Sequence, residues 1–135
     1  MRSHLRALIP VAALAVGGVL LSTAPANAAA SDCKANYVCV FEHTSWDGRS
    51  ISQAVDSGTK WNIGSGLNDK TSSVINNTDK TVILYQDYNG GGLSTIIYPH
   101  SSRSDLYNVN IFNPDGSYHH TGTFNDRASS FKLVG

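Results

Sequence analysis

Two hexapeptides, Asn68-Asp69-Lys70-Thr71-Ser72-Ser73 and Asn125-Asp126-Arg127-Ala128-Ser129-Ser130, share their opening Asn-Asp and closing Ser-Ser within a chain of 135 residues. Each is preceded by a segment of common spacing. Phe41-Glu42-His43-Thr44-Ser45-Trp46-Asp47-Gly48 aligns with Tyr85-Gln86-Asp87-Tyr88-Asn89-Gly90-Gly91-Gly92: an aromatic, four residues, a turn residue, one more and a glycine. Such a duplication restricts the chain to a fold assembled from two similar units. Counted from aromatic to hexapeptide, the second unit is longer by about 13 residues, and Pro99 to Thr121 is where the extra length is expected. Gly90 stands where the first unit has Trp46, so the second turn is expected to be looser or to be filled by Tyr88 instead.

Between these landmarks, short β-branched and aromatic runs alternate with clusters of Gly, Asn, Asp, Ser and Thr, which indicates strands joined by turns. Strands are predicted at Tyr37 to Glu42, Arg49 to Val55, Ser72 to Asn76, Thr81 to Gln86, Leu93 to Tyr98, Asn108 to Phe112, Ser117 to Thr121 and Ser129 to Val134. The expected class is all-β, a sandwich or barrel of short strands. Phe41, Phe124, Phe131, Tyr37, Tyr85, Trp46 and Trp61 are the expected core aromatics.

The first 28 residues read as a secretory signal. Arg2 and Arg6 give a basic start, Ala7 to Leu21 is apolar, and Ala26-Asn27-Ala28 is a small-x-small cleavage site. The apolar run contains Pro10 and falls short of the about 20 residues that a membrane span requires. What remains, residues 29–135, is long enough for one domain, and its Lys and Arg are scattered and outnumbered by Asp and Glu. A nucleic acid partner would need a basic patch, so none is expected. Cys33 and Cys39 are the two cysteines. In an exported chain they are expected to form a disulfide, because a thiolate metal site usually draws on four ligands. Closing so short a loop restrains the unfolded chain by about 2 kcal/mol, and the bridge is expected merely to trim the N-terminus.

The repeated hexapeptide offers hard oxygen chemistry: a carboxylate (Asp69 or Asp126), hydroxyls (Ser72, Ser73 or Ser129, Ser130) and carbonyls exposed by a turn. Calcium takes six to eight such oxygens. Asn, Asp and Ser also close turns on themselves without a metal, which is the competing account. Together, the aromatic-led start and the N-D-x-x-S-S finish, each present twice, resemble the βγ-crystallin family in its microbial calcium-binding form, over about Tyr37 to Val134. The resemblance implies a sandwich of two Greek keys, about residues 37–80 and 81–135, whose hexapeptide loops pair to make two calcium sites. One would use the carbonyls of Glu42 and Lys70, the hydroxyl of Ser72 and the carboxylate of Asp126. The other would use the carbonyls of Gln86 and Arg127, the hydroxyl of Ser129 and the carboxylate of Asp69. One carboxylate per site implies modest affinity, on the order of 10⁻⁵ to 10⁻³ M.

Other constellations carry less. His119 and His120 adjoin on a predicted strand, where neighbours face opposite sides, so a shared ion is not expected. No G-x-S-x-G elbow, H-E-x-x-H motif or P-loop occurs, and Asn113-Pro114-Asp115-Gly116 fails as an EF-hand. Asn76-Asn77-Thr78 matches a glycosylation sequon. An enzyme is therefore not expected. The chain, with its short cysteine loop ahead of the first strand, is also similar to the secreted bacterial metalloproteinase inhibitors of this fold, although it lacks the second disulfide that stiffens their inhibitory loop. This implies a secreted, monomeric, calcium-binding inhibitor whose partner is an extracellular metalloprotease. The alternative is a structural, stress-protective or toxin-like surface-binding module without a protease target.

Overall fold

The computed structural model describes residues 29–54 and 58–135. The signal segment and Val55, at the end of the second predicted strand, lie outside the described residues. Among the described residues ten strands occur: β1 Tyr37–Phe41, β2 Ser50–Ala54, β3 Lys60–Asn62, β4 Ser73–Asn76, β5 Thr81–Asp87, β6 Gly91–Ile97, β7 Ser101–Arg103, β8 Val109–Phe112, β9 Tyr118–Gly122 and β10 Ser130–Val134. They form two sheets, ordered β2-β1-β4-β7 and β3-β10-β5-β6-β8-β9.

The order shows an exchange between two Greek keys. β3, from the first half, closes the second sheet against β10, and β7, from the second half, closes the first against β4. Both exchanged strands are absent from the sequence prediction. They are three residues long and largely polar, Lys-Trp-Asn and Ser-Ser-Arg, too short to display an alternating pattern. The extra length of the second half forms the hairpin β8–β9, which extends the second sheet beyond β6.

Strand alternation sends one set of side chains between the sheets. Val38, Val40, Val74, Val82, Leu84, Ile97, Ile111 and Leu133 meet there with Phe124 and Phe131. Each such side chain contributes roughly 1.5–3 kcal/mol by leaving water. The other face of β1 carries Cys39 and Phe41, which form a second cluster with Cys33, Tyr37, Trp46 and Ile75. Cys33 and Cys39 are disulfide-bonded. Cys39 is 0% exposed, and Asn77 donates its amide to the Cys33 carbonyl at 3.1 Å. The bridge thus belongs to a sealed apolar layer, a larger role than trimming a terminus. Of the expected core aromatics, Phe41, Phe124 and Phe131 are buried, whereas Tyr37, Trp46, Trp61 and Tyr85 are half-buried.

Two features noted in the sequence take a particular setting in the fold. Ile111 pairs with His120 and Phe112 with Tyr118, leaving His119 in a bulge. The bulge breaks the side-to-side alternation, and the two histidine rings meet edge to face at 4.5 Å. Asn76, the acceptor of the sequon, is 0% exposed and donates to the carbonyls of Lys80, Ile97 and Tyr98, so its amide nitrogen is committed to the interior.

Candidate functional site

The two hexapeptides bend through matched left-handed residues, Asp69 at φ 54° and Asp126 at φ 56°. Asp tolerates this region because its short polar side chain bonds locally. The bends lie side by side and exchange backbone hydrogen bonds: Asp69 N–H donates to Ala128 O at 3.2 Å, and Asp126 N–H to Thr71 O at 3.0 Å. Their side chains cross in the same manner. Ser72 donates to Asp126 at 3.3 Å, and Ser129 donates to Asp69 at 3.0 Å. Both serines are buried and both aspartates are exposed, so each pair leads from the interior to the surface.

The strands fix what stands beside each pair. Ser72 N–H donates to Phe41 O and Ser129 N–H to Tyr85 O, both at 2.9 Å, which sets each hydroxyl residue next to Glu42 or Gln86. Lys70 and Arg127 precede the serines by two positions on the bends. The Glu42 carboxylate is engaged by Arg49, with guanidinium contacts of 2.7 and 2.8 Å. The Arg49 hydrogen bond holds that carboxyl at about 2, against an ordinary 4.5. Among the described residues no group of three or more His, Cys, Asp or Glu gathers; the pairs instead mix carboxylate, hydroxyl and backbone oxygen.

The second serine of each hexapeptide does different work. Ser73 donates to His43 O at 2.6 Å and accepts from Trp46 N–H at 3.1 Å. Ser130 donates to Asp87 O at 2.6 Å and accepts from Gly90 N–H at 2.9 Å. These serines pin the turns that start each unit, at Thr44–Trp46 and Tyr88–Gly90. Ser45 and Asn89 are both at φ 57°, so the turns match although their residues differ. Tyr88 does not fill the place of Trp46: it is 47% exposed. Lys60 lies over Gly90, its Cδ and Cε 3.0 Å from where a Cβ would stand, and Asn62 exchanges two hydrogen bonds with Asn89, at 2.7 and 3.0 Å. A strand from the first half therefore clamps the second turn. The paired serines were visible in the sequence, but the Asn62–Asn89 clamp left no signal there because β3 was not recognised.

Residues 26–97 match the family model described as peptidase inhibitor family I36. The chain belongs to this family. The I36 assignment agrees with the absence of an enzymatic motif, since the family is one of inhibitors and not of enzymes. Solved βγ-crystallin domains share the fold. One from an archaeon is 26% identical, with a TM-score of 0.53, and the match covers 75% of this chain and 100% of that one. A double mutant of a domain from Clostridium beijerinckii is 24% identical, with a TM-score of 0.50, covering 73% and 96%. A domain of Neurospora crassa Abundant Perithecial Protein, solved in its Ca²⁺-bound form, is 22% identical, with a TM-score of 0.48, covering 75% and 91%. No curated protein matches. This I36 chain is thus a βγ-crystallin-like domain with one disulfide, and among the described residues no helix is long and apolar enough to cross a membrane.

Proposed function

We propose that this chain is a secreted inhibitor of an extracellular metalloprotease, held in its working shape by two calcium ions. The reciprocal contacts Ser72–Asp126 and Ser129–Asp69 carry the calcium part of this reading. A neutral hydroxyl donating to a carboxylate is the arrangement that a cation replaces, because both oxygens can turn a lone pair toward it. The donor set is oxygen throughout, as calcium prefers. Asp126, Ser72 and the carbonyls of Glu42 and Lys70 would hold one ion; Asp69, Ser129 and the carbonyls of Gln86 and Arg127 the other. Arg49 occupies the Glu42 carboxylate, which supports a main-chain role for Glu42.

Calcium would join the two loops and raise stability by mass action. Inhibition follows from family membership, and a metalloprotease target and export are the readings that the sequence favours. A rigid sandwich suits an inhibitor, because a preorganised surface loses little entropy when it docks. Two measurements test the proposal. Calcium titration of the mature protein should show binding and a higher Tm, with one site lost in Asp69→Ala and the other in Asp126→Ala. Thermolysin-type proteases should be inhibited stoichiometrically, more stably with calcium than without. No heat and no Tm shift would reject the calcium reading; indifference of every metalloprotease tried would reject the target.

A further inference from the structure

The outer faces of the two sheets correspond residue by residue, yet only one is sealed. Cys39 and Phe41 on β1 occupy the positions that Ile83 and Tyr85 occupy on β5, as the shared register shows: Phe41 pairs with Ser73, and Tyr85 with Ser130. On the first sheet, Cys39 is 0% and Phe41 1% exposed, beneath Trp46 and the disulfide-bonded segment. On the second sheet the cover is smaller: the Tyr88–Gly90 turn, pinned by Ser130, with Lys60 laid over Gly90. Gly90 replaces Trp46, no second cysteine segment exists, and Ile83 and Tyr85 are left half-buried.

This open face is broad. Across it run two rows of paired residues: Lys60, Lys132, Ile83 and Ile96, then Asn62, Ser130, Tyr85, Ser94, Phe112 and Tyr118; in the second row Ser130, beneath the turn, and Ser94 are buried. The inserted hairpin supplies Phe112 and Tyr118, whose rings meet edge to face at 6.3 Å, and Tyr118 is 59% exposed. Beside them a shallow cleft is lined by Ile96, Tyr98, Arg103 and Phe112, among others. Neither row contains a carboxylate, and the lysines stand at one end.

We propose that this outer face of the second sheet, centred on Ile83, Tyr85, Ile96 and Phe112, is the surface that docks the peptidase. The enzyme patch it fits is apolar with a carboxylate edge. The inference rests on the inhibitor reading above. The occupant is a peptidase because the family is one of peptidase inhibitors, and its matched residues include β5 and β6, which carry Ile83, Tyr85 and Ile96; Phe112 and Tyr118 lie beyond them. Aromatic anchors are what interfaces use most, and the lysine end would steer an acidic enzyme surface during approach.

The test compares inhibition by the full mature protein with that of Ile96→Asp, Tyr118→Ala and Lys132→Glu, using Ser52→Asp on the opposite sheet as a control. Circular dichroism and Tm verify that each variant folds; Tyr118→Ala, at an exposed position, covers the case in which Ile96→Asp does not. Ile96→Asp and Tyr118→Ala should raise the inhibition constant at least tenfold. Lys132→Glu should slow association and flatten its salt dependence, and Ser52→Asp should behave as the parent. Unchanged inhibition in folded face variants would overturn this surface alone. Sedimentation showing a dimer that Ile96→Asp dissociates, with inhibition intact, would also overturn it in favour of a second copy. A parent protein that inhibits no peptidase would remove the inhibitor reading and this surface together.

Discussion

The Ser129 hydroxyl donates to the Asp69 carboxylate at 3.0 Å across 60 positions of sequence. Its counterpart, Ser72 to Asp126, spans 54. Each loop therefore completes the oxygen set of the other. Asp69→Ala would leave Ser129 buried without its acceptor, at about 1–3 kcal/mol. The expected outcome is a lower Tm without calcium together with loss of one calcium site. Calorimetry in which Asp69→Ala keeps both sites would contradict the pairing.

The two aspartates are not equivalent. Asp69 also accepts from the Asn68 side-chain amide at 3.1 Å, whereas Asn125 turns its amide to Asp105. A donor on the carboxylate competes with a cation for lone pairs. The site headed by Asp126 is therefore expected to fill first, and Asn68→Ala to tighten the weaker site several-fold. Luminescence of bound terbium, titrated in the parent and in Asn68→Ala, reads this directly; identical curves would count against it.

Ser130 holds the second turn through Gly90 N–H and Asp87 O. Ser130→Ala removes both contacts in a buried place, and the expected loss is about 2 kcal/mol. Ser73→Ala should match it in the first turn. Urea unfolding of the two variants provides the comparison, and a loss below about 0.5 kcal/mol would show the turns to be held elsewhere.

Reduction of the Cys33–Cys39 bond should affect more than loop entropy. The entropy term alone is about 2 kcal/mol. Opening the bridge also loosens the cover over Phe41 and Ile75, so the expected loss for the Cys33→Ser, Cys39→Ser double variant exceeds that figure. Chemical denaturation of the double variant measures it, and a loss well under 2 kcal/mol would show the cover to be dispensable.

Acid should weaken the fold through Glu42. Its carboxyl lies at about 2 in the folded chain against an ordinary 4.5. A depressed carboxyl pKa stabilises fully above its unfolded value, and the contribution fades as pH falls from about 4.5 through about 2. Glu42→Gln should flatten that part of the acid limb while leaving calcium affinity unchanged, since only its carbonyl is assigned to the ion. Urea midpoints measured between pH 5 and pH 2, at the ends of that window, test it.

What the sequence disclosed, and what it concealed, divides along strand length and range. The duplicated N-D-x-x-S-S is local and chemically distinct, so the paired bends and the chain's two-unit plan were legible from Asn68 to Ser73 and Asn125 to Ser130. Strands such as β5, with Val82 and Leu84 buried on one side, announced themselves by alternation. β3 and β7 did not, being three polar-rich residues each. The roles of Ser73 and Ser130 were hidden for another reason: their partners lie 30 and 43 positions away, and a serine gives no sign of which distant carbonyl it will meet. At His119, pattern reasoning failed because a bulge shifts the period by one residue.

The exchange of β3 and β7 has a consequence for a molecule whose trade is meeting peptidases. Lys60–Asn62 is stitched into one sheet and Ser101–Arg103 into the other, each paired with a strand of the opposite half. A nick between Lys80 and Thr81 would sever the polypeptide while the β3–β10 and β4–β7 pairings still tie its two halves. The pieces would be expected to stay clasped, so that an attacking enzyme breaks a bond without dismantling its opponent.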